Sequence, residues 1–106
     1  MHSIPYNKLV RDLIPEIIES SGRKAVTQCV DLQQKRYYLH EKLKEEMTEY
    51  LQSGTLEELA DLLEVMHGLI DCSEYTWDDL EAVRLTKKLA RGGFEKGILL
   101  CEVLEP

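Results

Sequence analysis

The stretch LQQKRYYLHEKLKEEMTEYLQSGTLEELADLLEVMHGLID, Leu32–Asp71, decides the fold. Leu32, Leu39, Leu43, Met47 and Tyr50 recur at three-, four- and sevenfold spacing and share one stripe, which predicts a helix over Leu32–Leu51. Ser53-Gly54 ends it. Thr55 is an N-cap residue, and Glu58 stands three positions on as its capping-box partner. The next helix runs from Leu56 to about Asp71, with a wide apolar arc of Leu56, Leu59, Ala60, Leu62, Leu63, Met66, Leu69 and Ile70. Two long helices joined by a short turn form an antiparallel hairpin. One neighbouring helix cannot cover so wide an arc. A second subunit is therefore expected to cover the rest, giving a four-helix-type core in a homodimer or a dimer of dimers.

The flanking sequence adds smaller elements. Pro15 suits the first turn of a short helix, Pro15–Ser20, with Ile14, Ile17 and Ile18 packing and Ser21-Gly22 stopping it. Ala25–Val30 reads as a short strand. Thr76 caps a further helix, with Asp78 and Asp79 at the positive end of its dipole. That helix runs to Ala90 and breaks at Gly92-Gly93. Ile98–Leu104 reads as a last strand, paired with Ala25–Val30. The expected fold is mainly α, a single domain over residues 1–106 with a minor two-stranded sheet from its terminal regions.

Charge is distributed unevenly. The chain has 106 residues, 13 Lys plus Arg and 20 Asp plus Glu, for a formal net charge of −7. Residues 1–30 carry +1, residues 31–81 carry −10 and residues 82–106 carry +2. An acidic hairpin thus lies between mildly basic ends. This balance argues against a nucleic-acid binder acting by phosphate neutralisation and against an anionic membrane surface. No apolar run reaches a membrane span, and Met1–Pro5 lacks the regions of a signal peptide, so a cytoplasmic protein is expected. Cys29, Cys72 and Cys101 are odd in number and far apart, which reads as buried or half-buried thiols in a reducing compartment.

The carboxylates of the hairpin carry the chemistry. Glu46 and Glu49 on the first helix, and Glu58 and Asp61 on the second, are each three apart and so share a face. At about 100° per residue, Glu46 falls within the apolar stripe, close to Leu43 and Tyr50. Glu58 and Asp61 straddle Val65 at the edge of the second arc. An inward carboxylate costs several kcal/mol unless it is paired or binds a cation, and clustered like charges cannot all stay ionised without a counter-charge. Only Lys35, Arg36, Lys42 and Lys44 are basic on these helices. A hard divalent cation such as Mg²⁺, with Mn²⁺ as a substitute, would neutralise the cluster. A solvated acidic face is the bland alternative. The basic ends, with Lys8, Arg11, Lys87, Lys88, Arg91 and Lys96, suit the outer oxygens of a phosphate chain. Backbone N–H groups at Gly92-Gly93 suit an anion.

KLKEEMTEYL (Lys42–Leu51) followed by EELADLLEV (Glu57–Val65) resembles the paired E-x-x-E and E-x-x-D motifs of the all-α NTP pyrophosphatase superfamily. NKLVRDLIPEII (Asn7–Ile18) and RGGFEKGILL (Arg91–Leu100) narrow the resemblance to its small MazG-like, phosphoribosyl-ATP pyrophosphohydrolase-like branch, over nearly the whole chain. The resemblance implies Mg²⁺ ligation by Glu46, Glu49, Glu58 and Asp61, with Glu45 orienting or deprotonating the attacking water. It implies hydrolysis of a nucleoside triphosphate between the α- and β-phosphates, as in house-cleaning of non-standard nucleotides. Asn7, Lys8, Arg11, Lys88, Arg91, Gly92, Gly93 and Lys96 are the candidate substrate contacts, Asn7 and also Asp12 toward base or ribose.

Two departures bear on the role. The phosphoribosyl-ATP enzyme of histidine synthesis usually has a His four residues after the motif Asp, where this chain has Val65, with His67 two residues further on. Only eight residues separate Glu49 from Glu58, shorter than the insertions of dimeric dUTPase relatives. The alternatives are phosphoribosyl-ATP hydrolysis and a non-catalytic acidic helical binding module.

Overall fold

The computed structural model describes residues 2–106. Regular structure among them consists of helices α1 (Ile14–Ser20), α2 (Leu32–Ser53), α3 (Leu56–Asp71) and α4 (Trp77–Arg91). The chain divides into two compact units, one ending at Glu74 and one over Tyr75–Pro106.

The first unit is built on the α2–α3 hairpin. Asp31 starts α2 with a complete capping box: its carboxylate accepts from Gln34 N at 2.8 Å, and the Gln34 side chain accepts from Asp31 N at 3.2 Å. Gly54 closes α2 in the left-handed region, φ 65°, and donates to the Tyr50 carbonyl at 2.7 Å. A side chain there would strain that turn. Thr55 then caps α3 by accepting from Glu58 N at 3.3 Å.

The core between the two helices is small. Leu39, Val65 and Cys72 are buried, with Leu9, Leu43 and Leu69 half-buried against them. Leu39 sits over Gly68: a Cβ at Gly68 would meet the Leu39 methyls at 3.0 and 3.2 Å. The missing side chain lets the helices approach closely at that point. Arg36 donates to the Cys72 carbonyl, tying α2 to the open C-terminal end of α3. In α1, Ile14 and Ile18 are half-buried, whereas Ile17, expected to pack, is 60% exposed.

The second unit carries α4. Thr76 and Asp79 complete a capping box, and Gly92 ends the helix by donating to the Lys88 carbonyl at 2.7 Å. Glu81 and Arg84 form a bidentate pair at 3.0 and 2.9 Å, and the Arg84 guanidinium holds the Glu81 carboxyl below its ordinary range.

Two expectations are corrected. No strand forms among the described residues, so the sheet of Ala25–Val30 with Ile98–Leu104 is not part of this fold. Val26, Ile98, Leu100 and Leu104 are each at least 75% exposed, so neither segment has a layer to cover it. An uncovered two-stranded ribbon is marginal in water. Cys72 is buried as expected of a small apolar thiol, but Cys29 and Cys101 are exposed. No helix among the described residues is long and apolar enough to cross a membrane.

Candidate metal centre

The hairpin brings five carboxylates together in the first unit. Glu45, Glu46 and Glu49 form one triad and Glu46, Glu58 and Asp61 another, with ligand oxygens within 4.8 Å of one another in each. Glu46 belongs to both and is 7% exposed, as its place in the apolar stripe predicts. Its burial raises its pKa to about 7, with Glu49 and Asp61 adding to the rise and Lys42 opposing it. Burial also raises Glu58, reinforced by the charges of Glu49 and Asp61.

Glu58 occupies the position from which a capping-box side chain would reach back to Thr55. Gln34 on α2 and Asp79 on α4 do so at the same position. On α3 only the Thr55 half of the box is made. The Glu58 carboxylate joins the acidic cluster instead, so the helix start forgoes one cap to present an oxygen at the site. Glu46 Oε2 and Glu58 Oε2 are both buried and without a hydrogen-bond partner. Such oxygens are rare in folded proteins and ask for a proton or a cation.

Three cations face the cluster. Arg11 Nη2 lies 2.7 Å from Asp61 Oδ1, Lys8 Nζ 3.3 Å from Glu45 Oε1 and Lys42 Nζ 3.8 Å from Glu46 Oε1. Five carboxylates against three cations leave an excess of two negative charges when all are ionised. The donor set is all oxygen, which fits a hard divalent ion. Lys42 was not among the sequence candidates, although its i,i+4 spacing to Glu46 was a signal for the pair.

Lys8 and Arg11, expected as phosphate contacts, thus lie on carboxylates of the cluster. Asn7 precedes them with a left-handed backbone, φ 49°. The other basic candidates belong to the second unit. Lys88 pairs with Glu95 at 3.5 Å, while Arg91 and Lys96 are exposed. The Gly92 N–H is consumed by the α4 cap, and the Glu95 carboxylate lies 2.6 Å from where a Gly93 Cβ would stand.

Comparison with protein-family models, curated proteins and solved structures finds no match for this chain.

Proposed function

We propose that the protein is a divalent-cation-dependent nucleotide pyrophosphohydrolase that cleaves a nucleoside triphosphate to monophosphate and pyrophosphate. The observation that carries this reading is Glu46: buried, held among like charges, and with one oxygen unpartnered. Glu46, Glu49, Glu58 and Asp61 would hold Mg²⁺, or Mn²⁺ in its place. When bound, the ion supplies charge compensation at the phosphoryl oxygens. Glu45, at the edge of the cluster and paired with Lys8, orients water toward the α-phosphorus and takes its proton. Arg11 and Lys8 contact the phosphate chain when it enters.

The resemblance of the Asn7–Ile18, Lys42–Leu51, Glu57–Val65 and Arg91–Leu100 runs to the MazG-like branch supports the same reading. Val65 is 6% exposed and part of the core, so the place where the histidine-pathway enzyme carries a His serves packing here. This favours house-cleaning of nucleotides over phosphoribosyl-ATP hydrolysis.

The active form is a homo-oligomer. Leu56, Leu59, Leu63 and Met66 on α3 are each at least 41% exposed, and a second copy of the hairpin would bury them. The deciding experiment incubates the protein with Mg²⁺ and a panel of nucleoside triphosphates and measures pyrophosphate. Release from at least one nucleotide, lost in Glu46→Gln, is expected. No pyrophosphate from any nucleotide at high enzyme concentration would overturn the reading.

A further inference from the structure

A groove of about 690 Å³ in the first unit runs beside the carboxylates, between the N-terminal segment and α2. Tyr6 and Asn7 line it from the segment, Tyr37 and Tyr38 from α2 at one end, and Glu45 and Glu49 from α2 at the other. Glu41, Lys42 and Lys44 lie along it between the two ends, with Lys44 paired to Glu41 at 3.2 Å. The order along α2 is therefore aromatic, then mixed charge with two lysines, then acidic. Tyr37 and Glu45 are eight residues apart, about 12 Å along the helix. That is the scale of an extended nucleotide from its base to its outer phosphates.

The aromatic end has features that packing does not explain. Tyr37 is 59% and Tyr6 66% exposed, although tyrosine rings gain stability from burial. Tyr38 meets Tyr37 edge to face, with centroids 5.3 Å apart and planes at 81°. That contact braces the two rings against each other. Asn7 holds a positive φ of 49°, a conformation that asparagine adopts more readily than other side chains. Its amide makes no hydrogen bond to another described residue, leaving a donor and an acceptor beside the rings.

We infer that this groove is the nucleoside subsite: the base stacks on Tyr37, with Tyr6 beside it, and the Asn7 amide hydrogen-bonds the base or sugar. The phosphates then run past Lys44 toward Glu45 and Glu49. A stacking platform of this kind tolerates all bases, because each has a π-face. The inference rests on the proposed function, which it extends from phosphates to nucleoside.

Calorimetry on the full-length chain with Mg²⁺ separates the two. The probes are inorganic tripolyphosphate and the α,β-methylene analogues of ATP, GTP, CTP and UTP, whose scissile bridge cannot be cleaved. At least one analogue is expected to bind tenfold or more tighter than tripolyphosphate. Tyr37→Ala should weaken that analogue by about tenfold and leave tripolyphosphate unchanged, while Tyr37→Phe keeps the nucleotide affinity. Tyr37 is exposed on a helix, so the alanine variant is expected to fold, which circular dichroism checks. Analogues that bind no better than tripolyphosphate, or a Tyr37→Ala effect equal on both probes, would overturn the nucleoside subsite and leave the metal-dependent reading standing. Binding of neither probe class would overturn both.

Discussion

The guanidinium of Arg11 lies 2.7 Å from Asp61 Oδ1, across 50 residues of sequence. A cation expected to meet substrate thus rests on a carboxylate expected to meet metal. Both side chains are more than a third exposed, so the pair adds little to stability, about 0–1 kcal/mol. Its weight falls on binding instead. Arg11→Ala should change urea-measured stability by less than about 1 kcal/mol. With its competitor gone, the free protein should bind Mg²⁺ more tightly, while the KM for nucleotide rises. Weaker Mg²⁺ binding in titration calorimetry would contradict the competition.

Glu46 makes the metal-free protein sensitive to pH. Its folded pKa of about 7 lies above the ordinary 4.5, so the fold accommodates the protonated form better. The stability this contributes is fully present below about pH 4.5 and is lost as pH rises through about 7, on the order of 3 kcal/mol in all. Glu58 acts in the same direction. Glu46→Gln should therefore raise the Tm at pH 8 in chelator and flatten the dependence between these limits. Thermal scans across pH, with and without chelator, would show it.

Mg²⁺ should reverse that trend, because ligands must lose their protons to bind. The Tm increment from a fixed Mg²⁺ concentration should grow as pH rises toward and past about 7. An increment independent of pH would mean that Glu46 is not a ligand.

Thr55 and Glu58 separate cap from site. Thr55→Ala removes the α3 cap and should cost about 1 kcal/mol with Mg²⁺ affinity nearly kept. Glu58→Gln leaves the backbone N–H that Thr55 accepts, so stability without metal should hold or rise. Its Mg²⁺ affinity should fall by about tenfold or more. Equal behaviour of the two variants in paired denaturation and calorimetry would make Glu58 a cap residue.

The exposed face of α3 predicts self-association. Leu63, 46% exposed, can be replaced by Glu with little loss within one chain. The unaltered protein should sediment as a dimer or larger species and Leu63→Glu as a monomer. A monomeric unaltered protein would leave the apolar arc without that explanation.

Periodicity and capping chemistry are local, and they carried most of the helical fold. The stripe through Leu39 and Leu43 located α2, and Thr55 and Thr76 marked the starts of α3 and α4. The same stripe includes Glu46, which is 7% exposed. What was illegible depended on distant partners. Lys8 and Arg11 reach Glu45 and Asp61 over 37 and 50 residues, a pairing that no spacing rule encodes. The apparent strands failed for the complementary reason. The largely apolar run Ile98–Leu104 describes a surface that a layer could cover, yet Ile98, Leu99, Leu100, Val103 and Leu104 are each at least 70% exposed among the described residues. For Glu58 the sequence offers two places, the capping box and the acidic cluster, and its carboxylate lies in the cluster.

Gly68 gives the hairpin a gauge. Glu46 follows Leu39 by seven residues on α2, and Asp61 precedes Gly68 by the same interval on α3. The contact of Leu39 with Gly68 and the meeting of Glu46 with Asp61 therefore repeat, two turns apart, in one antiparallel register. The absent side chain at position 68 lets α2 and α3 lie close together two turns from the carboxylates. Under the proposed function the hairpin works as a caliper for ionic radius, admitting a small octahedral ion in preference to a larger, more loosely coordinated one. On that reading a methyl group placed there, 3.0 Å from a Leu39 methyl, would weigh on the choice of ion from a residue that touches none, which Mg²⁺ and Ca²⁺ titrations of Gly68→Ala would measure.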